Sequence, residues 1–296
     1  MRVTSSMMVR STLRDLSQGL SRLQETQTKL ATGKEITSAS SNPGKTANAM
    51  ALRQDMRRAD QRLRSLNDAS GWLQTADSTL TASLTSLAKV KEVAVRAANT
   101  GGLGDPAARQ ALAAEIRSSR SELLALANTT YGERSIFNGT ASGAAYDANG
   151  VYLGNSASII RDVAPSTSIA VNLTGPQIFG TAGGPVGDVF EVLDRLATAV
   201  ENGDASAIAT EHTNVDTLTR TVSAATVEIG TRAARLEEAK VRAEDNQMLL
   251  TQQLSEVEDV DIVEALIKAK AQESSYQATL QVAAKILPPS LLDYLR

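Results

Sequence analysis

The sequence predicts a mainly α protein: an elongated antiparallel coiled-coil or helical-bundle rod built from the N- and C-terminal halves, with a small inserted β-rich head. Three observations predict it. From Ile208 a seam runs Glu211, Val215, Leu218, Val222, Ala225, Ile229, Arg232, Leu236, Ala239, Ala243, Asn246, Leu250, Gln253 and Val257. Its steps alternate three and four without a slip, as a coiled coil of about seven heptads requires. At the other terminus Leu13, Leu16, Leu20, Leu23, Gln27 and Leu30 repeat the same step. Between the helical halves, from Thr130 to Gly187, glycines, aromatics and short β-branched runs replace the heptads.

The elements follow in order. Val3 to Ala31 reads as an amphipathic helix, with Gly33 placed to end it because it lacks a Cβ. Lys34 to Gly44 is a polar connector. Asn42-Pro43 is an N-cap followed by proline at the first helical position, and from Ala47 a second helix runs to Asn99. At 1.5 Å per residue it is roughly 80 Å long, beyond any ordinary globular helix. Thr100 to Gly104 reads as a turn, and Asp105-Pro106 opens a third helix to Asn128.

In the head, 134–138, 151–153, 158–163 and 168–173 read as strands, and Asn149-Gly150 as a type I′ hairpin turn. Asp188 caps the next helix, Gly203-Asp204 ends it, and the long seam begins. A polar break at Glu256–Asp261 interrupts the seam before Ile262, Leu266, Ala269, Glu273, Tyr276, Leu280, Ala283 and Leu287 resume it. Pro288-Pro289 stops the last helix. The domains expected are 1–42 with 258–296, a terminal helical pair; 43–129 with 188–257, the long helices; and 130–187, the head.

Charge supports the pairing of the ends. Residues 1–64 hold twelve Lys and Arg against five acids, whereas 228–273 hold eleven acids against six bases, so a basic arm faces an acidic one. The formal net charge is only −3, which gives no general case for nucleic acid or membrane binding. Arg53, Arg57, Arg58, Arg62 and Arg64 are interspersed with Asp55 and Asp60 and lack interleaved aromatics, so a partner helix fits them better than nucleic acid. No run of about 18 apolar residues could span a bilayer, and the start MRVTSSMMVRSTLRDL lacks the apolar core of a cleaved secretory signal.

Catalytic chemistry finds little support. The chain has no cysteine, which excludes disulfides, thiolate metal sites and cysteine nucleophiles. His212, the single histidine, follows Glu211 without the second histidine of a zinc-protease helix. Glu237-Glu238 and Glu258-Asp259 lie in charged helical stretches with nothing nearby to desolvate them. The Asn-x-Thr triplets at Asn128, Asn138 and Asn172 carry no weight as modification sites. An enzyme on a coiled-coil stalk would need a polar pocket in 130–187, which holds no histidine or cysteine and few acids. The expectation is no enzyme, no cofactor and no metal. The candidate functional residues are those of an assembly interface: Leu13, Leu16, Leu20, Leu23 and Leu30 with Ile262, Leu266, Ala269, Tyr276, Leu280, Ala283 and Leu287.

Ordering a residue's backbone costs roughly 1–2 kcal/mol, and a fully buried leucine returns roughly 1.5–3 kcal/mol. The first arm has about one large apolar side chain per four residues, so an isolated pair of terminal arms is marginal. Residues 1 to about 40 and about 258 to 296 are therefore expected to be disordered in the monomer and to fold on assembly.

These segments resemble a known family. MRVTSSMM, LQETQTKLATGKEITSASSNPGKTANAMAL, LANTTYGERSIFNGT, the Tyr152-Leu-Gly-Asn segment and SSYQATLQVAAKILPPSLLDYLR are similar to the bacterial flagellin superfamily, in particular its hook–filament junction members. The resemblance covers roughly 1–140 and 185–296, and the head more loosely. It implies a structural subunit exported unfolded through the flagellar type III apparatus, without a cleaved signal, to an extracellular place on the flagellum. Implied partners are copies of itself side by side, the first hook-associated protein, flagellin, and a cytoplasmic export chaperone on the helix Ile262–Leu287. A filament-forming flagellin is the alternative; the MRVTSSMM start, the SLLDYLR end and the YLGN-bearing head argue against it.

Overall fold

The computed structural model describes residues 2–40, 42–99, 105–164 and 167–286. In order the elements are α1 (Arg2–Thr32), α2 (Pro43–Asn99), α3 (Pro106–Ala127), β1 (Thr130–Tyr131), β2 (Arg134–Ser135), β3 (Ile160–Ala164), β4 (Thr167–Ala170), α4 (Gly175–Phe179), α5 (Val189–Asn202), α6 (Ala205–Glu258) and α7 (Ile262–Ile286). The expected turn at 100–104, Leu287 and the proline stop lie outside the described residues. The chain divides into two compact units, one from Met1–Ala59 with Asn246–Arg296, the other Asp60–Asp245.

Helix ends follow the cap chemistry. The Lys45 amide donates to Asn42 Oδ1 (3.0 Å), the Ala107 amide to Asp105 Oδ1 (3.0 Å) and the Glu191 amide to Asp188 Oδ1 (2.8 Å). Each carboxylate or amide oxygen takes up an N–H that the first helical turn leaves without a partner. Asn42-Pro43 thus starts α2 four residues before Ala47. Gly33 and Gly203 close α1 and α5 at φ 69°, where a side chain would strain the backbone.

The central unit is built on the seam. Leu66, Leu73, Leu80 and Leu87 of α2, Ile116 and Leu123 of α3, Leu193 and Leu196 of α5, and Val215, Val222, Ile229 and Leu236 of α6 are buried in one continuous core. Three polar residues on the stripes have defined partners. Glu211 is buried and receives Arg195 Nε at 2.8 Å. Lys91 meets Asp216 at 2.5 Å. Arg232 Nη1 donates to the carbonyls of Ala170 (3.0 Å) and Asn172 (2.7 Å), which ties the head to α6.

In the head the strands are shorter than expected. β1 pairs with β2 and β3 with β4, forming two separate antiparallel ribbons. Residues 151–153 form no strand; Tyr152 makes a single bridge to Tyr146. Their connection is not the expected type I′ turn, which needs φ > 0 at Asn149 as well as Gly150; among the described residues only glycines have positive φ. Instead Asp147 Oδ1 accepts the amides of Asn149 (2.9 Å) and Val151 (2.8 Å), and Gly150 alone takes φ 91°. A Cβ there would lie 2.7 Å from Phe190 Cβ. The short helix α4, which the sequence reading did not anticipate, is capped by the Thr174 amide donating to Gln177 Oε1 (2.9 Å).

Side chains replace the missing sheet. Asn128 exchanges two hydrogen bonds with the Tyr146 backbone (3.0 and 2.8 Å). Asn172 accepts from the Ile159 amide (2.7 Å) and donates to Ala157 O (3.1 Å), and Asn138 donates to Gly143 O (3.1 Å). The three Asn-x-Thr triplets owe their asparagines to these clips.

The head core is aromatic. Tyr146 packs on Phe190 (5.0 Å between centroids) and Phe179 (6.0 Å), and Phe179 on Phe137 (5.8 Å). The Tyr146 hydroxyl is buried without a hydrogen-bond partner, and burial pushes its pKa well above that of a free phenol. An unpaired buried hydroxyl costs roughly 1–3 kcal/mol. Tyr146→Phe should therefore raise stability by about 1 kcal/mol, read as a higher thermal midpoint. Tyr152→Phe, which loses the bonds to Phe137 O (3.1 Å) and Asn155 O (3.0 Å), should lower it.

Candidate assembly interface

In the terminal unit α1 and α7 lie antiparallel, their backbones within 8 Å along the pair. Such close approach follows from what lines the contact. Gly19, Thr26, Ala265, Ala269 and Ala283 offer little bulk, and a Cβ on Gly19 would sit 3.4 Å from Tyr276 Cδ2. Leu16, Leu23, Leu30 and Tyr276 add half-buried surface.

The candidate interface residues split between two directions. Leu16, Leu23, Leu30, Ala269, Tyr276 and Ala283 face the partner helix of the same chain and are buried or half-buried. Leu13 and Leu20, seven residues apart, remain 54 % and 41 % exposed, and Ile262, Leu266 and Leu280 are exposed as well. Leu287 lies outside the described residues. The single 3-4 stripe expected on each arm is thus shared between an internal contact and a free face, because a heptad seam has two edges and the small residues of α7 fill only one.

The sequence reading missed Val263 and Ile267. With Ile262 and Leu266 they form an i, i+1, i+4, i+5 patch at 63–69 % exposure or close to it (Leu266, 60 %), too continuous for scattered surface residues. Four neighbouring apolar residues at the start of α7 were the available signal. Met7 and Val282 are exposed on the same two helices.

Where α1 gives way to the connector and α6 to α7, the two ends are joined by a polar corner. Lys34 bridges Asp259 in the backbone; the Glu35 amide donates to Glu258 O (2.6 Å) and the Val260 amide to Gly33 O (3.0 Å). Lys34 Nζ lies 2.6 Å from Asp259 Oδ1 and 3.7 Å from Glu258. Arg53 grips Glu258 with Nε 2.7 Å from Oε1 and Nη2 donating to Oε2 at 2.9 Å. Asp261 then caps α7, accepting the Val263 and Glu264 amides at 2.9 and 3.1 Å. The expected attraction between basic and acidic arms is concentrated here.

The Lys34 ammonium, and then the Ser255 hydroxyl, hold the Asp259 carboxyl below its usual pKa, while Asp259 raises Lys34. A lowered acid stabilises above its unfolded pKa, and that contribution disappears as pH falls through the folded value. A raised base stabilises below its unfolded pKa, and the contribution is lost as pH rises through the folded value. Amide protection near the corner, corrected for intrinsic exchange, should therefore be level from about pH 5 to 9 and decline in stronger acid as Asp259 protonates. Glu258 and Arg53 flank the same pair.

Among the described residues no group of three or more His, Cys, Asp and Glu side chains is placed to hold a metal, and no helix is long and apolar enough to cross a membrane. His212 sits half-buried on α6. What the terminal helices present is an apolar surface on a paired scaffold, suited to contact between proteins.

Such helices towards both ends of a chain, flanking a small head, define a class, and the chain belongs to it: the bacterial flagellin family of flagellar structural proteins. The family's N-terminal helical region matches residues 3–142 and its C-terminal helical region residues 212–295. Two curated relatives within the family share one name. The chain is 28 % identical over 305 residues to "Flagellar hook-associated protein 3" of Escherichia coli K12, covering 94 % of this chain and 96 % of that one. It is 26 % identical over 316 residues to the protein of the same name from Salmonella typhimurium, covering 99 % of each. The fold agrees with a putative flagellar hook-associated protein from Vibrio parahaemolyticus (TM-score 0.68, 20 % identity, 74 % of this chain and 100 % of that one). It also agrees with Bacillus cereus FlgL (TM-score 0.59, 21 % identity, 69 % and 99 %).

Proposed function

We propose that this protein is the hook–filament junction subunit, a layer laid between the first hook-associated protein and the flagellin filament. Copies stand side by side and bury one another's outward apolar residues. The observation that carries this reading is the free face of α1 and α7, where Leu13, Leu20, Ile262, Val263, Leu266 and Ile267 stay exposed although the helices are already paired. Near full-length likeness to two hook-associated proteins supports the position. On this reading the protein is no enzyme, leaves the cell unfolded through the flagellar type III apparatus, and acts outside it. An export chaperone covers α7 beforehand. The terminal arms, 1 to about 40 and about 258 to 296, form only a marginal pair in the free chain, α1 and α7 parting and re-forming, and become stably ordered when neighbours supply the missing burial.

A strain lacking the gene tests the position. It should retain hooks while releasing unpolymerised flagellin into the medium; a supernatant free of flagellin would overturn the proposal. The match to flagellin's own helical regions favours one second reading, a filament-forming flagellin. Purified protein that elongates into long filaments from seeds would establish that instead.

A further inference from the structure

We infer that Glu258 is a positioning residue that sets the register of α1 against α7. The interior of that helix pair specifies register poorly. Gly19 imposes no shape of its own, and Ala269 and Ala283, seven residues to either side of Tyr276, present the same small surface to α1. Sliding α7 by one heptad would exchange alanine for tyrosine opposite Gly19 while the heptad pattern still faced inward. Nothing comparable is possible at the corner. Glu258 is 4 % exposed, the fork of Arg53 and the ammonium of Lys34 converge on its carboxylate, and its carbonyl takes the Glu35 amide. A charge removed from water needs its partners at fixed positions, so the corner tolerates one alignment of residues 33–35 with 258–260. Both helices are counted from there.

The three members are unequal. The side chains of Arg53 and Lys34 are 55 % and 47 % exposed, whereas that of Glu258 is 5 % exposed. Losing the carboxylate leaves two cations that water can solvate. Losing Arg53 leaves a buried anion short of a partner, a larger penalty.

Because the chain has no cysteine, disulfide trapping reads register directly. Full-length chains carry Gly19→Cys with Tyr276→Cys, Ala269→Cys or Ala283→Cys, and are oxidised at a concentration where cross-links between chains are negligible. With the corner intact, the 19–276 pair should close at least ten times faster than either alternative. In Glu258→Gln the three rates should converge to within about threefold, and Arg53→Gln should disturb the corner more than Glu258→Gln does. The double variant Arg53→Gln/Glu258→Gln should return to the behaviour of Glu258→Gln. Glu258→Asp, which keeps the charge, should retain part of the preference. The helical signal and thermal midpoint of each variant show that the rest of the chain is folded. A tenfold preference that survives in Glu258→Gln would overturn the inference, as would three equal rates with the corner intact. Neither result depends on where in the flagellum the protein sits, so failure here is distinct from failure of the junction proposal.

Discussion

Replacing Ile262 and Leu266 together by lysine is expected, on the junction proposal, to abolish addition to flagellar hooks while leaving the central unit as stable as before. Both side chains are largely exposed in the single chain, so removing them opens no cavity within it. In a layer of side-by-side copies each would be buried, for roughly 1.5–3 kcal/mol apiece. Their joint loss alone lowers subunit association by about two to four orders of magnitude, before the repulsion between lysines brought together is added. The measurement is complementation: a strain lacking the gene, supplied with the variant, should release flagellin as if it had received nothing. Thermal unfolding of the purified variant should match that of the parent within a degree or two. Normal filaments on cells carrying the double lysine would remove α7's outward patch from the interface. The same pair of changes at Thr217 and Ser223, exposed on α6 within the other compact unit, is the control for added charge.

Phe190→Ala should have the largest effect on stability. Phe190 opens α5 yet belongs to the head, where its ring contacts Tyr146 and Phe179, carries the Arg120 guanidinium 5.8 Å above its face, and lies against Gly150. It is 1 % exposed. Truncating a phenylalanine so enclosed costs about 3–5 kcal/mol, and in a unit of this size the thermal midpoint falls by roughly 6–20 °C. Gly150→Ala should reproduce much of the loss from the opposite side, since its new methyl would strike Phe190 on a backbone that already resists a side chain. Calorimetry separates these changes from the lysine variants, which act only when copies meet.

The helices and their ends were legible because each rests on a local rule. Asn42, Asp105 and Asp188 cap the helices they precede, and the seam of α6 is buried at Val215, Val222, Ile229 and Leu236. Even its interruptions had a meaning, though spacing alone could not supply it: Arg232 needed two carbonyls some sixty residues upstream. The head was read less well. Strands of two residues carry no alternation to detect, and the loops between them are held by asparagine side chains whose targets appear only in three dimensions. The interface was half legible for a related reason. A heptad stripe says that a helix has partners, but whether Leu13 or Leu16 meets the chain's own helix depends on rotation about the axis, which Gly19 and the alanines of α7 decide.

The Lys34–Asp259 pair joins residues 225 positions apart in the chain, and this has a genetic consequence. A premature stop codon just ahead of α7 would spare every earlier residue and still leave the first helix without its companion. Late frameshifts should therefore be as damaging as early ones. A second-site change that rescues a defect at one extremity should be sought at the other.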